Sequence, residues 1–122
     1  MSAGRLDTTS TRDSRRFECL ECGAACVSTA VNAEFCGTAC RKAWNNRRAM
    51  RGAEIYDLLM VLRFDRGRAT HLKVWTLMCR MAALFRQDDW NERKGRRSWL
   101  PAEQVIERKP YLHSIVVHRG RR

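Results

Sequence analysis

A mainly α protein is predicted: a short cysteine-rich hairpin leading into a helix, fused to a small helical bundle. Three features of the 122-residue chain point there. Five of its six cysteines fall between Phe17 and Arg51. A basic, helix-compatible run follows the last of them. Beyond Gly52, two segments carry apolar residues at the spacing of buried helices.

Within the cysteine-rich stretch, Cys19 and Cys22 form a C-x2-C pair and Cys36 and Cys40 a C-x3-C pair, with thirteen residues between the pairs. Two short-spaced pairs supply four thiolates from two local turns, the tetrahedral sulfur environment that zinc prefers. One structural Zn2+ is therefore expected on Cys19, Cys22, Cys36 and Cys40. Cys26, four positions after Cys22, makes a second C-x3-C pair and is the competing ligand; the first set is preferred. Gly23, just after the first pair, allows the backbone to fold around the metal. Thr38 is a good N-cap, so Cys36 lies in the turn before a helix and Cys40 in its first turn. Ala24 to Val27 and Glu34 to Phe35 are expected to form the hairpin or loop carrying the knuckle, with Val27, Val31 and Phe35 as its apolar cover.

The pattern C-x2-C-G, a loop, then F-C-x3-C-R and a basic helix resembles the small bacterial treble-clef (FCS-like) four-cysteine zinc fingers, including the zinc-binding gyrase inhibitors. It spans about residues 17–51, and Leu20 stands where that family often has proline. The resemblance implies a treble-clef zinc finger and, through the gyrase inhibitors, an inhibitor of a nucleic-acid enzyme.

At 14.2 kDa, with a net charge of +11 and pI near 10.3, the chain has room for a finger and one small domain. The charge argues for a polyanionic partner, most simply DNA, with RNA as the alternative. No stretch reads as a signal peptide, and the longest run of large apolar residues, Leu58 to Leu62, is too short to span a bilayer. A cytoplasmic protein without a membrane partner is expected, and a reducing compartment favours metal ligands over disulfides.

Residues 1–16 contain too few apolar groups to fold alone and are read as a disordered basic arm, in which Arg12, Arg15 and Arg16 either contact phosphate or stay solvated. In the helix after Thr38, Arg41, Trp44, Arg47, Arg48 and Arg51 fall within a third of the circumference at about 100° per residue. Ala39, Ala43, Met50 and Ala53 lie opposite. Read as an outward face, the arginines and Lys42 would track phosphates while Trp44 stacks; alternatively Trp44 covers the metal cluster. An unbroken helix would bring Ile55, Leu58, Leu59 and Leu62 round to the arginine side, so a kink or break is expected near Gly52, with Ala53–Phe64 as a buried helix.

Asp65 to Arg68 reads as a turn, and Thr70 as the cap of a helix running to about Gln87, apolar over two thirds of its surface. Such a helix is either the centre of a bundle or part of an oligomer interface. Cys79 is expected to be buried. Asp88, Asp89 and Glu92 read as a surface charge cluster rather than a metal site. Arg93, Lys94, Arg96 and Arg97, followed by Trp99, form a second candidate surface for nucleic acid. Pro101 opens a helix over Ala102–Arg108, and Tyr111 to Val117 is a last apolar segment, helix or strand, before a basic tail at 119–122. The helical domain is thus 52–118. No catalytic constellation is present in the sequence, and a non-enzyme is expected: a zinc-stabilised DNA-binding regulator, or alternatively an interaction module, adaptor or inhibitor of a topoisomerase or polymerase.

Overall fold

The architecture was obtained as a computed structural model that describes residues 14–114. Residues 1–13, with Arg12 and most of the expected arm, and residues 115–122, with the expected basic tail, lie outside the described residues. Two compact units divide the chain after Ala49, within a helix.

In the first unit, β1 (Arg15–Glu18) and β2 (Ala25–Ser28) pair antiparallel, with Phe17 opposite Cys26 and Glu18 opposite Ala25. The partner of β2 is thus β1, not the Glu34–Phe35 segment. Arg15 and Arg16, which composition assigns to the arm, belong to that strand. Arg15 is held there: its guanidinium lies 5.3 Å from the Phe17 ring and donates to Ala33 O at 2.6 Å. A tight connection at 19–24 joins the strands, and helix α1 (Thr38–Phe64) begins after the second cysteine turn.

The expected break at Gly52 is absent, and α1 runs 27 residues without interruption. From Trp44 to Arg51 its facing is the reverse of the expected one, whereas Arg41 and Lys42 face outward and Ile55, Leu58 and Leu62 inward as expected. Trp44 is buried, Arg47, Arg48, Arg51, Ile55, Leu58 and Leu62 are half-buried, and Ala39, Ala43, Met50 and Ala53 are exposed. Within each unit's part of α1 the arginines from Arg47 on and the residues Ile55, Leu58 and Leu62 are thus the less exposed positions, while Arg41 and Leu59 stay exposed. Arginine is tolerated there because its fork meets carboxylates, Glu21 for Arg47 and Asp89 for Arg51.

The second unit continues with α2 (Arg66–His71), α3 (Val74–Arg93), α4 (Ala102–Glu107) and a 3-10 turn at Pro110–His113. The expected turn at 65–68 is instead the start of α2, because the Asp65 side chain accepts from Arg68 N–H at 3.3 Å and caps it. Thr70 lies inside α2, and α3 opens after Lys73, which adopts a left-handed φ of 57°. Past the expected end at Gln87, α3 continues through the acidic cluster to Arg93.

Arg51 meets α3 at the Phe85 ring and at Asp89. Met78, Met81 and Phe85 are the less exposed residues of α3, and Val74 is fully buried. Two helices share only one face. Trp75, Leu77 and Leu84, together with Cys79, are exposed, contrary to the expectation of a helix covered on several sides. Among the described residues, no helix is long and apolar enough to cross a membrane.

Candidate metal centre and basic surface

Between β1 and β2 the backbone closes on itself. Cys19 N–H donates to Ala24 O and Gly23 N–H to Cys19 O, each at 2.9 Å, and Gly23 takes a φ of +78° that a side chain would resist. Leu20 N–H donates to Glu34 O at 2.9 Å, drawing the second cysteine turn alongside the first. Cys36 sits just before α1 and Cys40 in its first turn.

These connections bring the sulfurs of Cys19, Cys22, Cys36 and Cys40 within 4.8 Å of one another, a cluster that could hold a metal ion. Cys22 and Cys36 are 3.8 Å apart and Cys36 and Cys40 3.4 Å apart. Cys26 stands outside the cluster, its thiol donating to Ala24 O at 3.4 Å.

The thiols are electrostatically unequal. Burial raises the Cys19 pKa, but the backbone N–H groups of Cys22, Cys36 and Glu21 outweigh it and bring the thiol to about 6. The neighbouring Cys36 thiol pushes Cys40 up to about 12. The Cys36–Cys40 contact itself lowers Cys36, but the sulfurs of Cys22 and Cys19 more than offset that and leave it raised. Cys19 is thus biased toward the thiolate, and Cys36 and Cys40 toward the protonated thiol.

The residues proposed from sequence for nucleic-acid contact divide into two groups. Arg41 and Lys42 are exposed on the first turns of α1. Trp44, only 4% exposed, packs edge-on to Phe35 with ring centroids 6.1 Å apart, and Arg47 and Arg48 lie over its ring at 5.8 and 5.2 Å. Trp44 is therefore a packing residue against Phe35, not an outward stacking platform. Arg47 forms a two-pronged pair with Glu21, at 3.0 and 2.5 Å, which ties the first cysteine turn to α1.

In the second unit, Arg51 and Arg93 are likewise committed inward. Asp89, expected on the surface, is 2% exposed, and it accepts from Ser98 N–H at 3.1 Å, Ser98 Oγ–H at 2.8 Å and Arg51 at 3.0 Å. Burial raises its pKa, but the hydrogen bonds from Arg51 and Ser98 prevail and hold its carboxyl below the ordinary value. Arg93, 5% exposed, donates Nε–H to Arg96 O at 3.0 Å and an Nη2–H to Arg97 O at 3.1 Å. This latch folds residues 94–98 back on the end of α3. Lys94 and Arg97 remain exposed, Arg96 is half-buried, and Arg97 lies 5.6 Å from the Trp99 ring.

A second aromatic-cationic grouping emerges around Arg86 and Trp90. These two lie four residues apart on α3, at the spacing of helix neighbours, but their relation to Arg97 and Trp99 depends on the latch, which no local pattern reveals.

The class defined by these features is a four-cysteine centre at the junction of a hairpin and a long helix. Compared with family models, curated proteins and solved structures, the chain matches none.

Proposed function

We propose that the four-cysteine centre holds one structural Zn2+ in a treble-clef-like finger, and that the protein is a small DNA-binding regulator. Zinc–sulfur bonds of about 2.3 Å in a tetrahedron place sulfurs about 3.8 Å apart, and the observed separations of 3.4 and 3.8 Å suit that arrangement. Four thiolates fill the coordination sphere, so the metal's part is to fold the finger and present α1.

The observation that carries the DNA reading is the charge left outward after internal pairing. The chain bears +11. Arg47, Arg51 and Arg93 are tied to protein acceptors, yet Arg41 and Lys42 in the first unit, and Lys94 and Arg97 in the second, are exposed. These four replace the larger set suggested by sequence as the residues that meet phosphate. Each cation withdrawn from a phosphate lowers the salt slope of binding by about one unit, so replacing Arg41 and Lys42 with alanine lowers it by about two. Absence of binding to duplex or single-stranded oligonucleotides at low salt would defeat the proposal.

A protein-interaction module, such as an adaptor or an inhibitor of a topoisomerase or polymerase, is the second reading. It is favoured by the exposure of Tyr56, Leu59, Met60 and Phe64 on α1. Sedimentation with and without DNA separates the two: a species that grows only with a protein partner or with itself, and ignores DNA, selects the second.

A further inference from the structure

We propose that one flank of α3, carrying Trp75, Arg86 and Trp90 and extended by Trp99, binds an unpaired nucleic-acid strand by stacking bases on its indoles. The inference rests on the nucleic-acid reading above and narrows it to a single strand. On α3 the less exposed side carries Val74, Met78, Met81 and Phe85. At about 100° per residue, Trp75, Arg86 and Trp90 fall within about 60° of one another on the adjoining flank, and Trp75 and Trp90 are separated by about 22 Å along the axis. The carboxylates of α3 (Asp88, Asp89 and Glu92) fall outside this flank.

Each end of the flank opens into a recess. One, of about 490 Å³, is lined by Trp75 with Arg66 and Lys73. The other, of about 300 Å³, is lined by Trp90, Trp99, Arg86 and Arg97. The three indoles are 63%, 69% and 45% exposed. Among the described residues none is paired with another aromatic ring. What sets these indoles apart from the other exposed apolar side chains is that each lines a recess together with cations.

The chemistry around the indoles selects the ligand. Cations flank each aromatic, and Asp89, the one carboxylate at either recess, already accepts from Arg51 and Ser98. A planar π-system linked to negative charge meets both requirements, and a strand with unpaired bases supplies both at each step. Bases in a duplex are stacked on one another and offer no faces. The second recess is also held in shape. Gly95 turns with a φ of +85°, close enough to Trp90 that an added Cβ would lie 3.0 Å from its ring. The Asp89–Ser98 bonds fix the segment that presents Arg97 and Trp99.

The test uses the full zinc-loaded chain with fluorescein-labelled DNA and RNA single strands of about 16 nucleotides and a duplex of the same sequence. Single strands are expected to bind more tightly than the duplex, with the stronger of the two identifying DNA or RNA as the target. W75A, W90A and W99A are each expected to weaken single-strand binding at least about fivefold, and W90F, which keeps a ring, less than W90A. Duplex binding stays unchanged in all four, with helicity and bound zinc as controls on folding. Single-strand binding that survives W75A, W90A and W99A within about twofold overturns the inference while leaving the nucleic-acid reading intact, provided the Arg41/Lys42 variant still loses affinity. Binding of the unaltered protein to the duplex but not to single strands overturns the inference alone, and failure to bind either overturns both.

Discussion

Replacing Asp89 with alanine should unlatch the C-terminal end of α3. The carboxylate accepts from Ser98 N–H at 3.1 Å, Ser98 Oγ–H at 2.8 Å and Arg51 at 3.0 Å, while being 2% exposed. Its removal takes the carboxylate away from two buried Ser98 donors, at about 1–3 kcal/mol each, and strips Arg51 of its counter-charge. Together these place the loss at about 3–5 kcal/mol, the range for breaking a buried pair by deleting one partner. Asp89→Asn keeps one acceptor oxygen but no charge and should lose about 2 kcal/mol. Urea unfolding of the zinc-saturated protein, followed by circular dichroism at 222 nm, measures both. The sign of the pH effect follows from the lowered Asp89 pKa. The unfolded state binds the proton more readily, so the stabilisation is complete above about pH 4 and is lost as pH falls through the lower folded value. Asp89→Asn should therefore flatten the acid limb of the stability profile. An alanine variant within about 0.5 kcal/mol of the parent, or an asparagine variant with an unchanged acid limb, refutes the assignment of this carboxylate as the latch.

Bound metal measured by atomic emission should fall from one equivalent to near zero in Cys36→Ser or Cys40→Ser and remain at one in Cys26→Ser, whose parent thiol points away to Ala24 O. Two glycine substitutions should shift thermal stability in opposite directions. Gly52→Ala meets open space inside α1 and should stabilise by about 0.5–1 kcal/mol. Gly95→Ala would force a side chain into a φ of +85° and against Trp90, and should destabilise by more than about 1 kcal/mol. In the finger, Glu21→Gln weakens the charged pair with Arg47 and should destabilise by about 1–2 kcal/mol, seen as faster zinc loss to a chelator; an unchanged rate would remove that pair from the account of how the first cysteine turn is held to α1.

Local chemistry was legible where short-range geometry decides it. The spacing of Cys19, Cys22, Cys36 and Cys40, Gly23 beside the first pair, and a helix start between Cys36 and Cys40 all lie within one or two turns of chain, and the structure brings those four sulfurs together. The separation of Arg41, Trp44, Arg47, Arg48 and Arg51 on one side of α1 was equally readable from periodicity. Which way that side faces was not. A basic stripe reads as solvent-facing unless its counter-charges are known, and here they are Glu21, 26 residues before Arg47, and Asp89 on another helix.

The same limit explains Gly52 and Asp89. Gly52 looks like a break only when the arginine and leucine stripes are assumed to need opposite environments. Asp89 looks like part of a surface cluster only while its partners Arg51 and Ser98 are unseen. By itself, the sequence determined a four-cysteine turn feeding a helix and a strongly basic, mainly helical chain, because ligand spacing and residue periodicity are local. Tertiary structure decided which cations are spent inside and which remain outside, because a charge can turn inward only when a carboxylate or carbonyl from elsewhere in the chain arrives to meet it. For that reason Trp44 becomes a packing residue, while Trp75, Trp90 and Trp99 stay exposed.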